Sequence, residues 1–151
     1  MLDLDFITPR LAVGGGIWTR GGFEQVMRAG ITHIINTQLE FDDSTLRLEG
    51  DHEPEILWLE MDDDFQPKPA DLFRAGARFA LKAYERPASS LLVHCASGVH
   101  RAPMVALAIL RVLGYGHRDA LDLLRARRPV ADFPDVYLDS VEAFLAEWEA
   151  A

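Results

Sequence analysis

Leu91, Leu92 and Val93 form a short apolar run, and from Met104 to Val112 the chain is mostly apolar again until Gly114 ends the pattern. The first stretch reads as a buried strand, continuing from Ser90 to His94, and the second as a helix. The residues between them, Cys95-Ala96-Ser97-Gly98-Val99-His100-Arg101, must therefore turn a strand directly into a helix. In such a turn successive backbone N–H groups and the positive end of the helix converge on an anion the size of phosphate. Cys95, the only cysteine of the chain, opens the turn. The same field favours thiolate over thiol, which makes Cys95 a candidate nucleophile. Arg101 closes the turn, and its planar guanidinium can grip two non-bridging oxygens of a phosphoryl group at once. A cysteine after Leu-Leu-Val is by itself an inert small hydrophobe. It is the combination with His94, Gly98 and Arg101 in a strand-loop-helix context that points to chemistry.

The remainder of the chain alternates strand and helix signals. Leu11 to Val13 reads as a short strand leading into Gly14-Gly15-Gly16, and Gly21 to Ala29 as a helix with Phe23, Val26 and Met27 on one side, stopped by Gly30. Ile31 to Thr37 is a β-branched run that predicts a strand. Residues 39–54 are acidic and irregular, a surface excursion, and Ile56 to Met61 is a further strand. From Pro69 to Arg86 the spacing of Leu72, Phe73, Ala77, Phe79 and Ala80 predicts a helix opened by Pro69 and closed before Pro87. Arg118 to Arg127 predicts another, and about Pro134 to Glu149 a last one presenting Val136, Leu138, Val141, Phe144, Leu145 and Trp148. With no repeat and no linker, residues 1–151 are expected to form a single α/β domain: a central, mostly parallel sheet with helices on both faces.

Composition narrows what such a domain can do. A formal net charge of −9 gives no electrostatic footprint for nucleic acid, so any affinity for phosphate must be local. No apolar run approaches the ~20 residues needed to cross a bilayer, and Met1-Leu2-Asp3-Leu4-Asp5 is acidic where a signal peptide is basic. One cysteine excludes an internal disulfide. A cytoplasmic monomer that binds neither membrane nor nucleic acid is the expectation. No His/Asp cluster has metal-ligand spacing, and no metal or cofactor is expected.

His-Cys, five residues and then Arg is the phosphate-binding signature of the cysteine-dependent protein tyrosine phosphatases, and the short chain resembles their dual-specificity branch. Ile7-Thr8-Pro9-Arg10-Leu11-Ala12-Val13-Gly14-Gly15 is similar to that branch's opening strand. Ala29-Gly30-Ile31-Thr32-His33-Ile34-Ile35-Asn36 is similar to the helix end and second strand that follow it, and Leu123-Leu124-Arg125-Ala126-Arg127-Arg128-Pro129 to its penultimate helix and exit. The resemblance implies Cys95 as nucleophile and residues Ala96, Ser97, Gly98, Val99, His100 and Arg101 as the phosphate-binding loop. It implies His94 as a support that orients the loop by hydrogen bonding. Gly98 is expected to take φ > 0 or to let backbone approach the anion closely.

Phosphoryl transfer to a thiolate also needs a proton for the departing oxygen. Asp62-Asp63-Asp64 directly follows the strand ending at Met61, where the family places its general acid, and counting back from Phe73 selects Asp63. Read without the loop, such a run is a solvated acidic turn. His100, beside Arg101, either meets the substrate anion when protonated or is simply exposed. One position departs from the family. Where most members carry Ser or Thr after the arginine, this chain has Ala102, and loss of that hydroxyl disfavours the thiolate and slows hydrolysis of the phosphoenzyme. The reaction implied is phosphomonoester hydrolysis in two displacements through a phosphocysteine. Its substrate is a phosphotyrosine, phosphoserine or phosphothreonine protein, or a small organic phosphate. Two alternatives stand beside it: a slow or inactive phosphate-binding module, and a rhodanese-like sulfurtransferase, whose loop is typically one residue shorter.

Overall fold

The computed structural model describes residues 2–150. Five strands form one sheet in the order β1-β2-β5-β3-β4: β1 Leu4–Thr8, β2 Leu11–Gly14, β3 His33–Gln38, β4 Glu55–Met61 and β5 Leu91–His94. Only β1 and β2 are antiparallel; β2 with β5, β5 with β3 and β3 with β4 all run parallel. The middle strand β5 is buried along its whole length, as a strand flanked on both edges and covered on both faces must be.

Five helices cover the sheet: α1 Arg20–Arg28, α2 Ala70–Tyr84, α3 Arg101–Val112, α4 His117–Arg127 and α5 Asp135–Ala150. Helix α1 lies on one face, where Phe23 and Val26 meet Ala12, Ile34 and Leu92. The other four share the opposite face, where α3 is wedged between α2, α4 and α5 and buries every residue from Arg101 to Leu110. No helix among the described residues is long and apolar enough to cross a membrane.

Three stretches differ from the sequence expectation. A strand, β1, precedes the expected opening strand and makes a hairpin with it through Pro9 and Arg10. Its Leu2-Asp3-Leu4-Asp5 alternation sends leucines to the α1 side of the core and aspartates to Arg128. Residues 39–54 are more than a surface excursion: they hold a 3-10 turn, Asp43–Leu46, and Asp43 is fully buried because it is paired. On α5 the stripe is rotated, so that Tyr137, Ser140, Val141, Phe144 and Leu145 face the core while Val136 and Leu138 are only partly covered. These positions stand at helical spacing, i, i+3, i+4, i+7 and i+8, and two of them are polar.

Candidate active site

Because β5 is the middle strand and ends at His94, the loop Cys95–His100 emerges at the centre of the sheet's C-terminal edge, where α/β folds bind their ligands. The loop is held from outside by its carbonyls. The Ala96 carbonyl accepts Gly16 N–H at 2.9 Å, Ser97 accepts Arg128 Nη2 at 3.2 Å, Gly98 accepts Arg128 Nε at 2.9 Å and Val99 accepts Asp132 N–H at 2.8 Å. In a planar trans peptide the N–H of the next residue points the opposite way. The N–H groups of Ser97, Gly98, Val99 and His100 are therefore turned inward, and the Gly98 N–H reaches Cys95 Sγ at 3.1 Å. Cys95 lies at the floor of this ring, 2 % exposed.

Gly98 takes the positive φ expected of it, and the close approach it permits is to protein groups. Its φ is 70°, and a Cβ there would stand 2.8 Å from the backbone carbonyl of Gly14 and collide with the Arg128 guanidinium. Arg128 is itself 1 % exposed; its charge is balanced by Asp3, whose oxygens lie 2.9 and 3.0 Å away, and by Asp5 at 3.0 Å. The guanidinium hydrogen bond holds the Asp3 carboxyl below its ordinary range. Neither Arg128 nor this pair of aspartates stands out in the sequence, except as alternation in the first five residues.

Arg101 begins α3 and is 5 % exposed. Its Nη1 donates to Glu40 Oε1 at 2.5 Å and to the Met61 carbonyl at 2.9 Å, and its Nη2 to Glu40 Oε2 at 2.9 Å. Glu40 thus takes the end of the guanidinium. Nε, buried, has no partner among the described residues. The side formed by Nε–H and the second Nη2–H is left as a two-toothed donor edge, the geometry that matches two oxygens of one phosphoryl group. The Arg101 hydrogen bond drives the Glu40 carboxyl down to about 2.

His94 is fully buried and directed away from the anion ring: Nε2 pairs with Asp43 Oδ2 at 2.6 Å, while Nδ1 is 3.4 Å from the Cys95 carbonyl. Thr37 adds a hydrogen bond to the His94 carbonyl at 2.8 Å. Ala102 is fully buried and brings no hydroxyl to the sulfur.

The three aspartates after β4 part company. Asp62 and Asp64 are exposed, and Asp64 pairs with Lys68 at 2.6 Å and accepts the Gln66 N–H, which hold its carboxyl below the ordinary range. Asp63 alone turns toward the loop. Its Oδ1 accepts the Tyr137 hydroxyl at 2.8 Å and its Oδ2 meets His100 Nδ1 at 2.9 Å. His100 is not simply exposed: its other ring nitrogen, Nε2, faces Asp132 Oδ2 at 3.0 Å. The segment carrying Asp63 is fastened to α5: Phe65 N–H donates to the Tyr137 hydroxyl at 3.2 Å, the two rings stack at 5.9 Å, and Lys68 N–H donates to Ser140 at 3.0 Å.

Residues 19–143 match the family model described as "Dual specificity phosphatase, catalytic domain". The chain belongs to the dual specificity phosphatases. This dual specificity phosphatase is accordingly a cysteine-based phosphoric monoester hydrolase. Its fold is that of several solved structures. The human tyrosine phosphatase-like serine/threonine/tyrosine-interacting protein superposes with a TM-score of 0.79 at 19 % identity, over 98 % of this chain and 99 % of that one. PTPMT1 gives 0.78 at 20 % identity over 97 % and 96 %, and a mouse putative dual specificity phosphatase complexed with zinc tungstate 0.76 at 22 % over 99 % and 91 %. The phosphatase domain match leaves the sulfurtransferase alternative without support.

Proposed function

We propose that Cys95, Arg101 and Asp63 carry out this hydrolysis in two displacements. The observation that carries the assignment is the free Nε edge of Arg101, aimed beside a ring of inward N–H groups with a sulfur at its floor. In the first step Cys95 Sγ forms a bond to phosphorus as the bond to the ester oxygen breaks, and Asp63 gives its proton to that oxygen. The equatorial oxygens are held by Arg101 and by the N–H groups of Ser97, Gly98, Val99 and His100, so charge stabilisation needs no reorganisation. In the second step Asp63, now a carboxylate, takes a proton from water while the water oxygen bonds to phosphorus, the S–P bond breaks and inorganic phosphate leaves. With no hydroxyl at Ala102 this second step is slow.

The substrate is a singly phosphorylated group, either a phosphotyrosine, phosphoserine or phosphothreonine protein or a small phosphomonoester. One structure of PTPMT1 is in complex with PI(5)P. Here the loop side chains Ala96, Ser97 and Val99 carry no charge, so none of the three offers a cation to a second phosphate. The enzyme acts as a cytoplasmic monomer on such substrates without nucleic acid or membrane.

The test is phosphate release from p-nitrophenyl phosphate and from a phosphotyrosine peptide, over a pH series, by the native chain, Cys95→Ser, Asp62→Ala, Asp63→Ala and Asp64→Ala. Cys95→Ser is expected to abolish release from both substrates, and only Asp63→Ala among the aspartates to cost on the order of 100-fold on the phosphotyrosine peptide, less on p-nitrophenyl phosphate, and to flatten the alkaline limb. Turnover by Cys95→Ser would overturn the assignment, and phosphopeptide binding without release by the native chain would make this member a binding module.

A further inference from the structure

We propose that His100 is a positioning residue that fixes the proton donor against the phosphate loop; the inference rests on the assignment of Asp63 as that donor. His100 is the last residue of the loop before Arg101, so whatever it binds is held in register with the phosphoryl group. Its two ring nitrogens both face carboxylates, Asp63 Oδ2 at 2.9 Å and Asp132 Oδ2 at 3.0 Å. A carboxylate only accepts, and a neutral imidazole has one N–H to give. The three groups can satisfy both contacts only by holding one additional proton among them, on the imidazole or on a carboxyl oxygen. The geometry therefore keeps a proton stored within reach of Asp63.

The other oxygen of Asp63 has a partner of a different kind. Tyr137 donates to Oδ1, and burial together with the hydrogen bond to Asp63 pushes its hydroxyl up to about 12, so it remains a donor throughout the working pH range. Only the His100 side can change between giving and receiving. The ring is kept in place by Asp132, whose own N–H is bonded to the Val99 carbonyl, and by the Phe65 ring, edge-on at 5.1 Å. Among the described residues, its hydrogen-bonding and aromatic partners are Asp63, Asp132 and Phe65. A displacement of the carboxyl by 1 Å is enough to lower a rate by roughly 100-fold, which is why a bracket on both oxygens matters to the reaction.

Such a role is separable from a structural one by the leaving group. Expulsion of p-nitrophenolate needs little help from an acid, whereas phenolate from phenyl phosphate needs a proton. His100→Ala is expected to lower kcat/KM for phenyl phosphate roughly tenfold more than for p-nitrophenyl phosphate. His100→Asn, whose amide N–H falls near the position of Nδ1, should restore most of that difference. Asp132→Asn should move the ratio in the same direction as His100→Ala but less. Equal losses on both substrates, or no rescue by His100→Asn in a folded protein, would overturn the inference. Asp63→Ala measured alongside separates the two levels: if it shows no leaving-group dependence, the donor assignment fails; if it does and His100→Ala does not, only the role of His100 fails.

Discussion

Gly98 is the residue at which local geometry and the site are most tightly joined. Adding a methyl group there meets the Gly14 backbone and the Arg128 guanidinium at a φ that L-residues avoid. Gly98→Ala is expected to cost about 2–4 kcal/mol in denaturant unfolding and to abolish binding of vanadate; an unchanged midpoint would show that the loop can give way. Glu40 illustrates a subtler dependence. Its carboxyl lies at about 2 instead of its ordinary 4.5, so its pairing with Arg101 stabilises the folded state above pH 4.5, and that contribution fades as pH falls toward 2. The side chain is 46 % exposed, which limits the effect to about 1 kcal/mol or less. The stability gap between the native chain and Glu40→Gln, read by urea unfolding, should be present at pH 6 and vanish near pH 2. A gap that persists at the lower pH would mean that the pair is not its source.

At the scale of elements, what could be read in the sequence is what depends on neighbours along the chain. The strand-loop-helix around Cys95 follows from an apolar run, a glycine and a helix pattern within a few residues, and the structure has β5, the loop and α3 there. Position after β4 and count to Phe73 picked Asp63, and it is Asp63 whose carboxyl meets the loop. What could not be read is what arrives from far away. Asp43 lies 51 residues from His94, Glu40 61 from Arg101, and Tyr137 74 from Asp63. A carboxylate in an acidic excursion has the same local signature whether it is solvated or paired. Tyr137 and Ser140 escaped notice for a different reason, since a hydrophobic stripe is sought among apolar residues and these two bury polar tips in hydrogen bonds to Asp63 and to the Lys68 N–H. The β1 alternation was too short, and too acidic, to register as a strand.

Across the whole molecule, one edge of the sheet collects contributions from almost every connection: Gly16 after β2, Glu40 after β3, Asp63 after β4, the loop after β5, and Arg128 and Asp132 between α4 and α5. The parallel topology makes this possible, because parallel strands deliver their following loops to the same end. The hairpin partner β1 contributes differently, through the two aspartates that neutralise Arg128. Replacing Asp3 and Asp5 together by Asn leaves a buried cation without its counter-charges, a change that costs about 3–5 kcal/mol when a pair is fully enclosed and less here, where both carboxylates are partly exposed. The double variant is expected to bind vanadate more weakly and to lose kcat/KM on p-nitrophenyl phosphate, with the sheet intact by circular dichroism. Unaltered oxyanion affinity would mean that Arg128 holds Ser97 and Gly98 without help. The fastening of Arg128 to Asp3 and Asp5 has a practical corollary. Deleting the stretch that carries Asp3 and Asp5 tampers with the reaction centre, and a preparation trimmed of it would be mistaken for a sluggish enzyme when it has merely been unbuckled.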